Sequence, residues 1–176
     1  MTNSRMKGGK IPAIKNLVKR FLEEGAIRAE ILSPREVATG SWVRWKCQFG
    51  CGGFGSTLMC PPHAPTPEET RKVLDEYKTG ILFEGTYANT KKIAVRMERE
   101  IFLSGFQKAL GLGAGPCRLC ASCGFGEGCR NPDRARPSME ACGIDVFTTV
   151  RKFGFSIDVV KTREDPQHYF GLVLIE

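Results

Sequence analysis

Residues 66–85 read "TPEETRKVLDEYKTGILFEG" and change from one structural period to another within that stretch. Thr66 is suited to cap a helix, Pro67 to its first turn, and Glu69 stands where a reciprocal capping box places its acid. Val73, Leu74 and Tyr77 give this helix a buried face. "GILFEG" (80–85) is then a short strand. A helix running almost directly into a strand sets a layered reading, which the flanking sequence extends.

Towards the N-terminus, Ile14, Leu17, Val18, Phe21 and Leu22 recur at helical spacing and predict a helix over Pro12–Glu24, stopped by Gly25. "AIRAEIL" (26–32) alternates apolar and polar residues as a strand does. Residues 1–10 read as a loose, polar start. Towards the C-terminus, Ile93, Ala94, Met97, Ile101, Leu103, Phe106 and Leu110 predict a long helix over Thr90–Leu110. A further helix begins at Ser138, with Ile144, Phe147 and Val150 on its face and Gly154 at its end. "FSIDVV" (155–160) and "FGLVLI" (170–175) read as two strands joined by a polar turn around Asp165–Pro166. The expected fold class is α/β, an α+β sandwich whose small central mixed sheet is packed by helices. One domain covers 1–176, without repeats or an internal linker.

Two stretches interrupt this order. Residues 40–65, "GSWVRWKCQFGCGGFGSTLMCPPHAP", hold three cysteines, and residues 117–129, "CRLCASCGFGEGC", hold four. Both are read as long cysteine-rich metal-binding loops, because long irregular segments inside a compact domain are usually functional.

Composition narrows the chemistry. A chain of 176 residues with 41% hydrophobic and 26% charged residues can bury a core without covalent staples. No apolar run is long enough for a membrane span. The start, "MTNSRMKGGK", lacks the apolar segment of a secretion signal, so the expected location is the cytoplasm. Stable disulfides are uncommon in that reducing compartment, and metal becomes the leading use of eight cysteines. The formal charge of +7 counts every thiol as neutral. Two four-thiolate sites, each netting about −2 with zinc or an oxidised [4Fe–4S] core, would leave roughly +3. The basic residues are scattered through "KNLVKR", "NTKK" and "RNPDRAR", which argues against a nucleic-acid stripe and for a rim facing an acidic redox partner or anionic substrate.

The cysteines divide by spacing. Cys47, Cys51 and Cys60 form C-x3-C-x8-C; Cys117, Cys120, Cys123 and Cys129 form C-x2-C-x2-C-x5-C; Cys142 follows after twelve residues. Zinc fingers and ribbons usually separate two close pairs by a longer loop. A continuous C-x2-C-x2-C run instead suits three corners of a cubane, as in bacterial ferredoxins, where a cysteine followed by proline completes the motif. Cys129 is the local fourth ligand. Cys60, followed by Pro61 and Pro62, echoes the ferredoxin ending and offers a crossover. The first loop needs a ligand from elsewhere, and Cys142 is the spare; its alternative is a buried thiol packing as a small hydrophobe. The expected cofactor is one or two [4Fe–4S] clusters, with zinc as the alternative.

Other candidates are fewer. His63 in "CPPHAP" is read as a loop histidine and His168 as a surface one. Arg118, Arg130, Arg134 and Arg136 flank the second loop, where they can stabilise an anionic cluster, meet an acidic partner or simply be solvated. Trp42 and Trp45 are expected to shield the first loop, a stacking platform being the other use.

"WKCQFGCGGFGSTLMCPP", "FLSGFQKALGLGAGPCRLCASC" and "CRNPDRARPSMEACGIDVFTTVRKFGF" resemble a prokaryotic family of predicted metal-binding proteins, the domain of unknown function 2284. The likeness runs from about Trp45 to Phe155. It implies metal binding without naming a reaction, and the family's occurrence mainly in anaerobes suits oxygen-sensitive clusters. The functional expectation is an iron–sulfur protein exchanging electrons with a partner. The alternatives are a zinc-stabilised module contacting an acidic protein or nucleic acid, and an enzyme in which Cys47, Cys51 and Cys60 leave one iron open.

Overall fold

The computed structural model describes residues 14–176. Helix α1 spans Ile14–Glu23, strand β1 Arg28–Leu32, α2 Ser41–Gly50, α3 Pro67–Asp75, β2 Gly80–Gly85, α4 Thr90–Leu103, β3 Leu110–Leu112, α5 Val146–Lys152 and β4 Tyr169–Leu174. Short 3₁₀ turns lie at Pro34–Glu36 and Glu140–Cys142. The expected loose segment 1–10 and the first residues of the predicted first helix lie outside the described residues.

The sheet order is β1-β2-β4-β3, and every neighbouring pair is antiparallel. The expected central sheet packed by helices is present, but it is antiparallel throughout rather than mixed. Both faces of β2 and β4 are covered, so these strands carry near-continuous apolar runs. Ile81, Phe83 and Val173 meet Leu17 and Phe21 of α1 and Ile93, Met97 and Ile101 of α4. Leu82, Leu172 and Leu174 on the opposite face meet Leu74, Met139, Ile144 and Val150. The result is an α+β sandwich in which the sheet forms the middle layer.

Local chemistry explains the element ends. Glu69 N donates to Thr66 Oγ1 at 3.1 Å and Thr66 N to Glu69 Oε2 at 2.7 Å, completing the capping box on α3. After α1, Ala26 N bonds Phe21 O and Gly25 N bonds Leu22 O, with Gly25 at φ +97°, a Schellman stop. The same pattern at Gly105, φ +107°, ends α4 at Leu103. That is seven residues earlier than the apolar pattern suggested. Phe106 still enters the core, and Leu110 begins β3.

Two further expectations are corrected. Residues 41–50, read as part of an irregular loop, form a helix: the glycines and prolines of that stretch cluster after Phe49 and leave "SWVRWKCQF" free of breakers. Residues 155–160, read as a strand, pair with no neighbour among the described residues. Their alternation reflects one-sided burial of Phe155 and Ile157 against the core, while Val159 and Val160 stay exposed.

Candidate metal centre

Helix α2 delivers the first cysteines. Cys47 occupies its last turn and Cys51 caps its C-terminus, with Cys51 N bonded to Cys47 O at 3.3 Å. The chain reverses through Gly53 and Gly55 and returns Cys60 to a buried position. The Arg44 guanidinium ties the helix to the returning segment by donating to Pro62 O at 3.0 Å, Ala64 O at 3.3 Å and Pro65 O at 3.1 Å. Cys47, Cys51 and Cys60 line one wall of a cavity of about 920 Å³ that is otherwise mostly apolar. Burial, then the neighbouring Cys51, pushes the Cys47 thiol above its ordinary value.

The second loop folds without helix or strand from Pro116 to Pro137. Gly124 is required there by close approach, because a Cβ would stand 2.6 Å from Gly128 O. Cys117, Cys120, Cys123 and Cys129 all line a smaller cavity of about 260 Å³, closed on one side by Ser56–Met59 of the first loop. Three N–H groups are directed at its sulfurs. Leu58 N donates to Cys123 Sγ at 3.3 Å, Asn131 Nδ2 to Cys120 Sγ at 3.0 Å and Asn131 N to Cys129 Sγ at 3.4 Å. All eight cysteines are free thiols. Among the described residues, no three His, Cys, Asp or Glu side chains converge closely enough to hold a single metal ion.

The structure therefore brings Cys129, not Cys60, to the cavity of the triplet, and keeps Cys60 with Cys47 and Cys51. It does not bring Cys142 to either cavity. Cys142 is 3% exposed within the apolar core, and burial raises its thiol to about 12. The 3₁₀ turn at Glu140–Cys142 faces it into the core, away from the first-loop cysteines it was expected to join.

The flanking side chains separate into distinct roles. Arg136 makes a bidentate pair with Glu98 of α4, Nε to Oε2 at 2.6 Å, and donates to Pro132 O and Ala135 O. It pins the exit of the second loop to the scaffold. Arg118, Arg130 and Arg134 are exposed, and Arg118 and Arg130 border the smaller cavity. His63 packs on Phe125, ring centroids 5.0 Å apart, joining the two loops. His168 is half-buried rather than on the surface, and its Nδ1 lies 2.6 Å from Glu84 Oε1. Trp42 lines the larger cavity, whereas Trp45 is 68% exposed against Phe49 and shields little.

Two charged residues passed over in the sequence stand beside the cysteines. Lys91, in the first turn of α4, crosses Gly113, where a Cβ would lie 2.5 Å from Lys91 Cγ. Its buried Nζ has no hydrogen-bond partner among the described residues. Burial holds this ammonium below its ordinary value, opposed by Cys117, Cys60 and Glu140. Glu140 lines the larger cavity, its Oε2 is buried without a partner among the described residues, and burial pushes its carboxyl upward. No periodicity marks either residue; the small Gly113 beneath Lys91 is the one trace in the sequence.

The family model described as predicted metal-binding protein (DUF2284) matches residues 30–175. The chain belongs to this family. The match covers both cysteine groups, so metal binding is the coarse function of the chain. No curated protein and no solved structure matches it.

Proposed function

We propose that this metal-binding protein carries a [4Fe–4S] cluster in the smaller cavity, held by Cys117, Cys120, Cys123 and Cys129. The observation that carries the reading is the ring of four thiols around one cavity, with three N–H groups aimed at their sulfurs. The residues fit the group. Thiolates are soft donors for iron, and N–H···S bonds are the means by which proteins hold and tune such clusters. A lone zinc ion calls for four sulfurs at about 2.3 Å from one point. Three N–H groups directed at the sulfurs of a four-thiol cavity favour a polynuclear centre.

A fully ligated cluster would supply one-electron transfer. The chain's own residues would then act on access and recognition. Cys120 is exposed, so the loop brings the site to the surface. Arg118 is exposed beside the site, and the exposed Arg130 and Arg134 pair with Glu127 and Asp133, a mixed rim with a positive excess suited to an acidic redox partner. Among the described residues no helix is long and apolar enough to cross a membrane; the proposed setting is the cytoplasm.

The larger cavity favours a second role. Cys47, Cys51 and Cys60 supply three thiols to one wall of a space big enough for a small molecule. A second cluster bound there would have three protein ligands, leaving one position for substrate. Anaerobic purification followed by iron, sulfide and zinc analysis tests the proposal. The expected protein is brown, with about four irons per chain for the first site and about eight if both are filled. A colourless protein with stoichiometric zinc and no sulfide, even after anaerobic reconstitution, refutes it.

A further inference from the structure

The cavity of about 920 Å³ is far larger than its three cysteines require. Ligand pockets commonly span about 300–1,000 Å³, with mainly apolar walls and a few polar groups that fix orientation. Away from the cysteine wall, this cavity is bounded by Trp42, Phe54, Phe147, Ile157, Tyr169 and Phe170. Most of its polar side chains are already satisfied. Asp145 accepts from Thr148 N and Oγ1, His168 is paired with Glu84, Gln167 with the Tyr169 hydroxyl, and Ser138 Oγ accepts from Ala141 N. Glu140 is different. Among the described residues, its Oε2 is the one buried side-chain oxygen of the lining that has no hydrogen-bond partner. Such a group carries a desolvation cost that a bound ligand would relieve.

We infer that the cavity is a binding site for a neutral, mainly apolar organic molecule, aromatic or alicyclic, with a carbonyl or hydroxyl group hydrogen-bonded to Glu140. Several aromatic rings supply the apolar walls. The carboxyl disfavours an anion, whose charge would lie beside it: the buried ammonium of Lys91 already faces Cys117, Cys60 and Glu140 and is not part of the lining, and Lys46, which is, is exposed. The binding site itself stands on the cavity and Glu140. Only its purpose, presenting the molecule to the metal-binding wall of Cys47, Cys51 and Cys60, rests on the function proposed above.

The test is titration of the full-length, metal-loaded chain with prodan, a neutral naphthalene ketone whose emission moves to the blue in apolar surroundings. One saturable site with blue-shifted emission is expected. Glu140→Leu should weaken binding by about tenfold, the loss of one good hydrogen bond, and Glu140→Gln should stay within about threefold of the parent. Ala114→Phe, which fills the cavity from the Ala114–Pro116 segment, should abolish saturable binding while leaving the melting transition and the iron content in place. Absence of saturable binding by the parent chain overturns the inference, as does binding that both Glu140→Leu and Ala114→Phe leave unchanged. Iron is measured in the same samples. Prodan binding that depends on Glu140 in a chain that takes up no iron refutes the cluster and leaves the binding site standing.

Discussion

Replacing Cys142 with alanine separates a core thiol from a metal ligand. The side chain is 3% exposed and packs in the apolar cluster that covers the Leu82, Leu172 and Leu174 face of the sheet, which includes Leu74, Met139, Ile144 and Val146. Truncation removes one sulfur, similar in burial to a methylene group, worth about 0.8 kcal/mol. The void left behind, about 25 Å³, adds about 0.6 kcal/mol at about 24 cal/mol per Å³. Cys142→Ala should therefore cost about 1.4 kcal/mol, or a fall of about 3–6 °C in Tm for a chain of this length. Denaturant unfolding of the metal-loaded protein, with iron and sulfide counted per chain before unfolding, measures both quantities. Iron should be unchanged, in contrast to Cys120→Ala, which removes a thiol of the smaller cavity and should lose about four irons. A Cys142→Ala protein that loses a whole cluster's iron would show that Cys142 reaches a site in the loaded protein, and the grouping of four and three thiols would be wrong.

Arg136→Met should lower stability by about 3 kcal/mol, because it leaves Glu98 part-buried without its bidentate partner, and should make the second loop susceptible to protease; equal cleavage of parent and variant counts against the pin. Asn131→Leu removes the N–H bond to Cys120 Sγ and should shift the reduction potential of the bound cluster to more negative values, with iron content retained; an unchanged potential in anaerobic voltammetry means that the bond is not made in the loaded protein. Cys142 also has a pH signature. Its folded thiol is raised by burial to about 12 from an ordinary value of 9.0, so its contribution to stability is full below about pH 9 and is lost as pH rises through 12. The metal-free parent should lose stability more steeply than Cys142→Ala across that window, and parallel curves would contradict the burial of this thiol.

The parts of the fold that were legible in the sequence are those encoded locally. The α3 capping box needs only Thr66, Pro67 and Glu69, and it forms as their spacing suggests. β2 and β4 were legible because burial on both faces turns them into apolar runs bounded by glycine and polar residues. Elements that depend on distant partners were not. β3 is three residues long and exists because β4, some sixty residues later, supplies its hydrogen bonds; alone, "LGL" carries no strand pattern. The sheet's antiparallel order had the same cause: connections long enough for crossover helices lie between its strands, yet each neighbour runs opposite. α2 was obscured by composition, since the glycines that follow it were averaged over the whole stretch.

The site divides along the same line, and the division explains why its sulfurs were easier to find than its charges. Cys117, Cys120, Cys123 and Cys129 lie within one loop, so short-range spacing alone nearly obliges them to share a cavity. Cys142 was read as the spare ligand of the first group because Cys129 lies nearer the triplet, but it closes a 3₁₀ turn that faces it into the apolar core. Lys91 and Glu140 come from α4 and from the turn before α5, and only the packed sheet brings them beside the cysteines. Lys91 gets there over a glycine, and its buried ammonium is influenced by both Cys60 of the first group and Cys117 of the second. Leu58 N, from the first loop, donates to Cys123 Sγ in the second, and His63 packs on Phe125 across the same boundary. The two cysteine groups are thus neighbours sharing a cation, a hydrogen bond and a ring contact. A change in charge on one side is felt by groups that also face the other, and that adjacency follows from the scaffold rather than from any motif in either loop.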